Sequence, residues 1–275
     1  MTSDAHDPAR AQAAPLRVDL DARGVATLTL DRPDVRNAFD SGLVAALGEA
    51  AARLTPADGV RVAVLTGAGE AFSAGADLEW MRAMREAGEQ ENVADARALE
   101  ETLRALDRAP VPVIARVNGP AIGGGAGLVA CCDVAVAAAE AVFAFSEVRL
   151  GLAPAVIAPY VVAKVGPAFA RATFLTGERF DAVRAREAGL VHEVAADGAL
   201  DAVVEATVGR CLRAGPRAAG EAKRLPGLVH GRDPAEVREE TAALIAALRV
   251  GDEGQEGMAA FLERRAPAWV PEPGA

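Results

Sequence analysis

The sequence predicts an α/β core followed by a helical region at the C-terminal end. As far as about Val156, short segments with the pattern of strands repeatedly precede segments with helical periodicity, in strand–strand–helix units. Beyond Val156 the helical pattern is almost unbroken. We therefore expect a tail at residues 1–15, a core at residues 16–205 and a helical region at residues 206–275.

Periodicity and capping residues predict the elements of the N-terminal half. Two alternating segments flank the turn Arg23-Gly24 and predict a β-hairpin. Asp40 is a typical helix N-cap, and the helix after it places Leu43 and Leu47 on one face. The predicted elements are the strands Leu16–Asp21, Val25–Asp31 and Val60–Thr66 and the helices from Asp40 to about Leu54 and from Leu78 to about Leu106, the latter with a polar break around Ala87–Asn92.

The second half begins with closely spaced strands and ends in helices. Pro110 and Pro112 precede a predicted strand at Val113–Val117, and a glycine cluster leads from that strand into a short helix. Further strands are predicted at Asp133–Ala138, Val142–Phe145 and near Leu190–Val194. Helices are predicted near Asp201–Ala214, Ala219–Leu228, Pro234–Val250 and Gln255–Ala266.

Charge and hydropathy argue against nucleic-acid and membrane partners. The chain of 275 residues has a formal net charge of −10, so we expect no broad basic face for nucleic acid. Charged residues or prolines interrupt the apolar stretches before these reach the length of a membrane span. The first fifteen residues lack the apolar centre of a signal peptide. We therefore expect a cytoplasmic protein with a disordered N-terminal tail.

The cysteines indicate neither disulfides nor a metal site. They are Cys131, Cys132 and Cys211, and the sequence contains no C-x-x-C pair and no His/Cys cluster. Small buried side chains in a reducing compartment are the better interpretation of all three thiols. No metal ion is therefore expected.

Two loops combine small residues with a predicted helix start. They are Ala71–Leu78, in which Asp77 precedes a helix, and Val117–Leu128, which contains three consecutive glycines. The first amides of a helix lack internal partners and lie at the positive end of its dipole, so both loops can present amides to an anionic group. Taken alone, such a turn also fits a nucleotide phosphate or tight packing, although the spacing of neither the P-loop nor the dinucleotide fingerprint is present.

Six separated segments together resemble the enoyl-CoA hydratase/isomerase (crotonase) family. The order and approximate spacing of these segments follow the family pattern from Leu16 to Trp269. Ala76–Met84 and Ser146–Val161 further resemble the bacterial 3-methylglutaconyl-CoA and γ-carboxygeranoyl-CoA hydratases. The resemblance implies a crotonase-like spiral of ββα units with a C-terminal helical region. The six segments are Leu30-Asp-Arg-Pro-x-x-Arg-Asn-Ala38, Phe72-Ser-Ala-Gly-Ala-Asp77, Asn118-Gly-x-x-x-Gly-Gly-Gly125, Phe145-Ser-Glu-Val-Arg-Leu-Gly-Leu152, Leu175-Thr-Gly-Glu-Arg-Phe180 and Ala188-Gly-Leu-Val-His192.

The resemblance implies a site for an acyl-CoA thioester. The backbone amides of Ala76 and Gly124 are expected to hold the thioester oxygen, and Glu147 is expected to exchange a proton with the substrate carbon skeleton. Apolar neighbours in the sequence would desolvate Glu147 and raise the pKa of its carboxyl. Further contacts to CoA or to the acyl chain are expected from Arg32, Arg36, Ala38, Ala74, Asp77, Leu78, Trp80, Gly123, Tyr160, Phe261 and Arg264.

The resemblance also implies the partners of the chain. Coenzyme A is part of the substrate, so no separate cofactor is expected. The C-terminal helices of this family pack between subunits, and residues 206–275 would therefore form an oligomerisation region. A homotrimer, or a hexamer made of two trimers, is expected.

One position departs from the family pattern. Hydratases with two catalytic glutamates carry the second one two residues after the glycine triplet, where this chain has Gly127. A single carboxylate can act as both base and acid in adding water, and it can equally perform a 1,3-proton shift. We expect an enoyl-CoA hydratase, with an acyl-CoA like 3-methylglutaconyl-CoA as a candidate substrate; the alternatives are an isomerase or decarboxylase of the same superfamily and a non-catalytic acyl-CoA-binding protein. Arg149, close to Glu147 in the sequence, fits either a substrate carboxylate or support of the fold.

Overall fold

The computed structural model describes residues 14–270, in which two β-sheets are surrounded by ten α-helices. The predicted tail at residues 1–15 lies almost wholly outside these residues. The strands are β1 (Leu16–Leu20), β2 (Val25–Leu30), β3 (Val62–Gly67), β4 (Val113–Val117), β5 (Ala121–Ile122), β6 (Val134–Ala138), β7 (Val142–Ala144), β8 (Arg179–Asp181) and β9 (Glu193–Ala195). The helices are α1 (Ser41–Ala52), α2 (Leu78–Glu86), α3 (Glu89–Asp107), α4 (Gly124–Cys131), α5 (Ala158–Thr176), α6 (Ala182–Glu187), α7 (Leu200–Leu212), α8 (Pro216–Val229), α9 (Pro234–Val250) and α10 (Asp252–Glu263).

Repeated ββα units build both sheets. The larger sheet has the strand order β1-β2-β3-β4-β6-β9, in which β1 is antiparallel to β2 and all other neighbours are parallel. The smaller sheet has the order β5-β7-β8. The units β4–β5–α4 and β6–β7–α5 each contribute one strand to each sheet. Because β3 and β4 are parallel neighbours, the two loops that follow them start from the same edge of the larger sheet.

Each face of the larger sheet packs against its own set of helices. Strand β3 is buried along its whole length, as expected of a central parallel strand. Its Leu65 contributes to the core that includes Leu47 of α1 and Leu103 of α3. Its Val64 contributes to a second core with Val204 of α7. The alternation of side chains along the strand therefore serves two cores at once.

The structure confirms the predicted α/β core with a helical C-terminal region, and it corrects two details. Strand β8 was not predicted. Strand β9 begins at Glu193 rather than near Leu190, because Leu190 and Val191 are buried before the strand starts and extend its apolar pattern. The predicted boundary between residues 205 and 206 lies within α7, which packs on β3, β4 and β6.

Within residues 14–270, no helix combines the length and the apolar character that crossing a membrane would require.

Candidate active site

The loop after β3 presents the amide of Ala76. Phe39 and this loop run side by side: the Phe39 N–H donates to the Gly75 carbonyl at 2.6 Å, and the Asp77 N–H donates to the Phe39 carbonyl at 2.8 Å. Between these two bonds, the Ala76 N–H donates to no protein group within residues 14–270. Ala76 is exposed, so its amide is open to an acceptor from outside.

The loop after β4 presents the amide of Gly124. Gly123 has φ 53° and ψ −120°, a conformation that side chains disfavour, and it turns the chain into α4. Gly124 is the first residue of α4, and its N–H likewise donates to no protein group among the residues described. A Cβ at Gly124 would lie 2.7 Å from the Phe39 ring, so the backbone can approach the ring this closely only because the residue has no side chain.

Buried polar contacts hold the two loops against each other. Asn37 is fully buried and donates from Nδ2 to the carbonyls of Ala68 at 2.9 Å and Ala71 at 2.8 Å. The Ser73 hydroxyl donates to the Asn37 carbonyl at 2.9 Å, and the Ile122 N–H donates to the Ser73 carbonyl at 2.9 Å. Each of these groups is satisfied away from water, so the loop geometry is fixed before any ligand arrives.

Arg32 links the segment before α1 to Asp77, the residue that caps α2 after the first loop. Its guanidinium donates to the Ala38 carbonyl and forms ion pairs with Asp77 at 3.1 Å and with Asp40 at 3.0 Å. Asp77 in turn caps α2 by accepting from the Glu79 N–H at 2.8 Å. Burial by itself raises the pKa of the Asp77 carboxyl, but the capping amides and Arg32 outweigh it and hold that pKa below its usual value.

Glu147 is the first residue of a 3₁₀ turn at Glu147–Leu150. Its Oε1 lies so close to Gly123 that a Cβ there would be 3.1 Å away. Its Oε2 is buried and has no hydrogen-bond partner among the described residues. Burial raises the pKa of this carboxyl above its usual value. A carboxyl with one buried oxygen that lacks a partner is suited to exchanging protons with a bound molecule.

Ala76, Gly124 and Glu147 all line one cavity of about 360 Å³, here called the glutamate cavity. One wall consists of the two loops, and the opposite wall comes from α2, α3 and the segment after Glu147. Its lining residues are Phe39, Ala74, Gly75, Ala76, Trp80, Met81, Met84, Asn92, Asp95, Ala96, Leu99, Ile122, Gly123, Gly124, Ser146, Glu147, Leu150, Leu152, Ala153, Pro154, Ala155, Val156 and Ile157.

A second cavity of about 680 Å³ adjoins the first, because Ala74 and Ile122 line both. Arg36 and Arg179 line this second cavity, here called the arginine cavity. Both arginines are exposed, and the cavity is open to solvent. Asp34 and Glu70 line the same cavity, so an elongated ligand can extend from Glu147 to a region with two guanidinium groups and two carboxylates.

The family model of the enoyl-CoA hydratase/isomerases matches residues 21–272. The chain belongs to this family. It is similar to a putative enoyl-CoA hydratase of Thermus thermophilus, with 33% identity over 250 residues that cover 91% of this chain and 99% of the relative. It is also similar to a mevalonyl-coenzyme A hydratase of Aspergillus fumigatus, with 33% identity covering 89% of this chain and 90% of the relative. The crystal structure of an enoyl-CoA hydratase from Shewanella pealeana matches with a TM-score of 0.89 and 39% identity, covering 94% of this chain and 97% of that one.

The structure brings together most of the predicted residues of this hydratase/isomerase family member. Arg36 and Ala74 line the arginine cavity, whereas Arg32, Ala38 and Asp77 are engaged in the contacts that hold the first loop. The predicted residues that line the glutamate cavity are Ala74, Ala76, Trp80, Gly123, Gly124 and Glu147.

Besides Arg32, Ala38 and Asp77, four further predicted contacts lie outside both cavities. Tyr160 lies on α5, and its hydroxyl donates to Oε1 of Glu100 on α3 at 3.1 Å. Leu78 starts α2 with its side chain exposed. Phe261 and Arg264 lie at the end of α10, and the Phe261 side chain is 83% exposed. Arg149 also lies outside the glutamate cavity, and its Nε donates to the Thr176 carbonyl at 3.4 Å, so it supports the fold.

Sequence reasoning did not assign several of the residues that line these cavities, among them Asp95, Ile157 and Arg179. Asp95 and Ile157 line the glutamate cavity, and Arg179 lines the arginine cavity. In the sequence, Asp95 cannot be told from other polar residues on a helix. Ile157 cannot be told from an ordinary core residue. Arg179 is on β8, a strand too short for periodicity to reveal. Ile157 and Arg179 lie in segments that carry the family resemblance, but nothing in those segments marked either residue as part of a cavity wall.

Proposed function

We propose that the protein adds water across the α,β double bond of an acyl-CoA thioester. The proposal is carried by one observation, namely that two amides without protein partners and a buried carboxylate oxygen without a partner surround the same cavity. The family membership and the names of the relatives support it.

The chemistry assigns a role to each group. Glu147 takes a proton from water as the oxygen forms a bond to the β-carbon, and the electrons of the double bond move onto the thioester oxygen. The amides of Ala76 and Gly124 donate to that oxygen as it becomes negative, and each such donor contributes ~2.7–4 kcal/mol in comparable enzymes. Glu147 then returns a proton to the α-carbon, which restores the thioester and the carboxylate.

The phosphates of coenzyme A would occupy the arginine cavity. Arg36 and Arg179 offer planar guanidinium groups that suit phosphate oxygens. On a chain with a net charge of −10, these guanidinium groups also offset the carboxylates of Asp34 and Glu70, which line the same cavity. The thioester would then lie where the two cavities meet, beside Ala74 and Ile122.

Isomerisation of an enoyl-CoA is the second candidate. It is favoured by Gly127, the position at which two-glutamate hydratases carry their other carboxyl. Ile157 fills the space that a side chain at this position would need. A single carboxyl can move a proton between two carbons of the acyl chain without water. Loss of carbon dioxide from a carboxylated thioester uses the same pair of amides and is tested by the same product analysis.

We further propose that the protein is cytoplasmic and assembles as a homotrimer or as two paired trimers. Exposed apolar side chains on α9 and α10 support the assembly, because water-exposed side chains of this size and number favour burial between subunits. They are Ile245, Val250, Met258, Phe261 and Leu262. The three unpaired thiols are consistent with a reducing compartment.

The test is turnover of crotonyl-CoA and 3-methylglutaconyl-CoA, followed by the loss of conjugated thioester absorbance and by the mass of the product. Addition of one water to crotonyl-CoA is expected, and Glu147→Gln should abolish it while CoA-ester binding persists. Glu79→Gln, which removes an exposed carboxyl from the start of α2, is the matched control. An unchanged mass would favour the isomerase, and loss of carbon dioxide the decarboxylase. Tight binding without turnover of any thioester would indicate a non-catalytic binding protein.

A further inference from the structure

The glutamate cavity has an unusual balance of charge. Among its lining residues, Asp95 and Glu147 are the ionisable ones, and no lysine, arginine or histidine of the described chain lines it. The rest of the wall is apolar apart from Asn92, Ser146 and the backbone. An acyl chain that enters this cavity therefore meets negative charge and no positive charge.

Asp95 is held in the wall by Trp80. The indole Nε1–H of Trp80 donates to Asp95 Oδ1 at 3.0 Å, which joins α2 to α3 across the cavity. Asp95 is half-buried and forms no ion pair with a described cation. Its charge is therefore fixed in position and faces the cavity without a counter-ion.

Neither Asn92 nor the arginines of α2 can offer a binding site for an anion in the glutamate cavity. Asn92 Nδ2 donates to the carbonyls of Met84 at 3.0 Å, Ala87 at 3.2 Å and Gly88 at 3.1 Å, so its donors are already used by the turn between α2 and α3. Arg82 and Arg85 are exposed on α2, and neither lines the cavity.

We propose that the glutamate cavity selects acyl chains whose distal end is uncharged, and that Asp95 is the residue that rejects a carboxylate there. The inference rests on the proposed function, because it names the substrate class of the same site. A chain that ends in a carboxylate would lose its hydration and gain only repulsion from Asp95 and Glu147. An uncharged chain instead packs on Trp80, Met81 and Leu99, and leaves Asp95 bonded to Trp80.

Binding of two saturated thioesters tests this selection without depending on turnover. Pentanoyl-CoA and glutaryl-CoA have acyl chains of the same carbon number, and they differ in whether the chain ends in a methyl group or a carboxylate. We expect pentanoyl-CoA to bind at least about tenfold more tightly by titration calorimetry, a ratio equivalent to about 1.4 kcal/mol.

Variants assign the selection to one carboxyl. Asp95→Asn removes the charge but keeps an oxygen that accepts from Trp80, so the ratio of the two dissociation constants should fall severalfold because glutaryl-CoA binds more tightly. Trp80→Phe keeps an aromatic side chain in the wall but removes the N–H that donates to Asp95. It should therefore also lower the ratio of the two dissociation constants. Glu101→Gln removes an exposed carboxyl from the same helix α3 and should leave the ratio unchanged.

Two results would overturn the proposal. One is glutaryl-CoA binding as tightly as pentanoyl-CoA to the unaltered protein, and the other is an unchanged ratio in folded Asp95→Asn. Failure of both thioesters to bind would overturn this proposal and the proposed function together. Selective binding of pentanoyl-CoA by a protein that hydrates no enoyl-CoA would overturn the proposed function alone.

Discussion

Ile157 fills the space that a side chain at position 127 would need. A Cβ on Gly127 would lie 2.9 Å from Ile157 Cβ and closer still to its Cγ2. Both residues are buried, and Ile157 also lines the glutamate cavity. The two residues together therefore keep a second carboxyl out of this part of the site, and Gly127 by itself does not explain the arrangement.

The pair Gly127 and Ile157 should be energetically coupled. Gly127→Glu alone forces atoms into Ile157 and should lower the free energy of unfolding by about 1–3 kcal/mol, as overpacked cores do. Ile157→Ala alone leaves a cavity, and the double variant Gly127→Glu/Ile157→Ala should lose less than the sum of the two single losses. Urea unfolding of all three variants measures the coupling. Additive losses would show that the two positions do not compete for the same space.

Glu147 should cost stability at neutral pH. Because burial raises the pKa of its carboxyl in the folded protein, the folded state favours the protonated form. The contribution to stability is fully present below the ordinary pKa of 4.5 and is lost as the pH rises through the raised value. Glu147→Gln, which cannot ionise, should therefore unfold at a higher temperature than the unaltered protein at about pH 7.5, and the gain should shrink towards about pH 4. Thermal unfolding of both proteins at the two pH values checks this, and Glu79→Gln should show no such gain.

Arg32 should stabilise the first loop through its fork-shaped side chain. It contacts Ala38, Asp40 and Asp77 at once, which a lysine cannot reproduce. We expect Arg32→Lys to lower the free energy of unfolding by about 1–3 kcal/mol, because buried acceptors are left without donors. Arg17→Lys, in an exposed pair with Asp19, should change it by less than about 1 kcal/mol. Equal effects of the two substitutions in urea unfolding would contradict this role.

The two lysines of the chain both contact Asp133, in the turn before β6. Lys223 on α8 pairs with the Asp133 carboxylate at 2.8 Å, and Lys164 on α5 donates to the Asp133 carbonyl at 3.2 Å. The Lys223 side chain is 10% exposed, so its removal leaves the partly buried Asp133 carboxylate without this cation, although its Oδ2 still accepts from the Val113 N–H at 2.7 Å. We expect Lys223→Ala to lower the free energy of unfolding by about 1–3 kcal/mol. Arg224→Ala, at the neighbouring exposed position, should change it by less than about 1 kcal/mol in the same urea titration.

The end of α10 should contribute to assembly. Phe261 and Leu262 are 83% and 79% exposed, which is unusual for large apolar side chains. If subunits cover them, Phe261→Asp should shift the protein towards monomer in sedimentation velocity at micromolar concentration. Val18→Asp, at an exposed apolar position on β1, is the matched control and should leave the assembly intact. A monomer before any substitution would refute the proposed oligomer.

Local patterns predicted many elements well. Asp40 caps α1 as expected, accepting from the Leu43 N–H at 2.7 Å, and α9 has the predicted bounds Pro234–Val250. Capping residues and a repeating apolar face are properties of neighbouring residues, so they are visible without knowledge of the fold. Strand β8 was missed because three residues are too few for a period to emerge, and its Phe180 is buried by packing on Phe143 and Phe169.

The sequence by itself determined the small residues of the two loops, the glutamate at position 147 and the lack of one at position 127. All of these features can be found from the sequence, because each is simply the residue type at a given position of a motif. The tertiary structure alone decided that Asp95 joins the cavity wall, that Ile157 fills the space beside Gly127 and that Tyr160 faces Glu100. The physical reason is that such contacts depend on how α2, α3, α4 and α5 pack against one another, and helix packing is set by side chains far apart in the chain rather than by any local period.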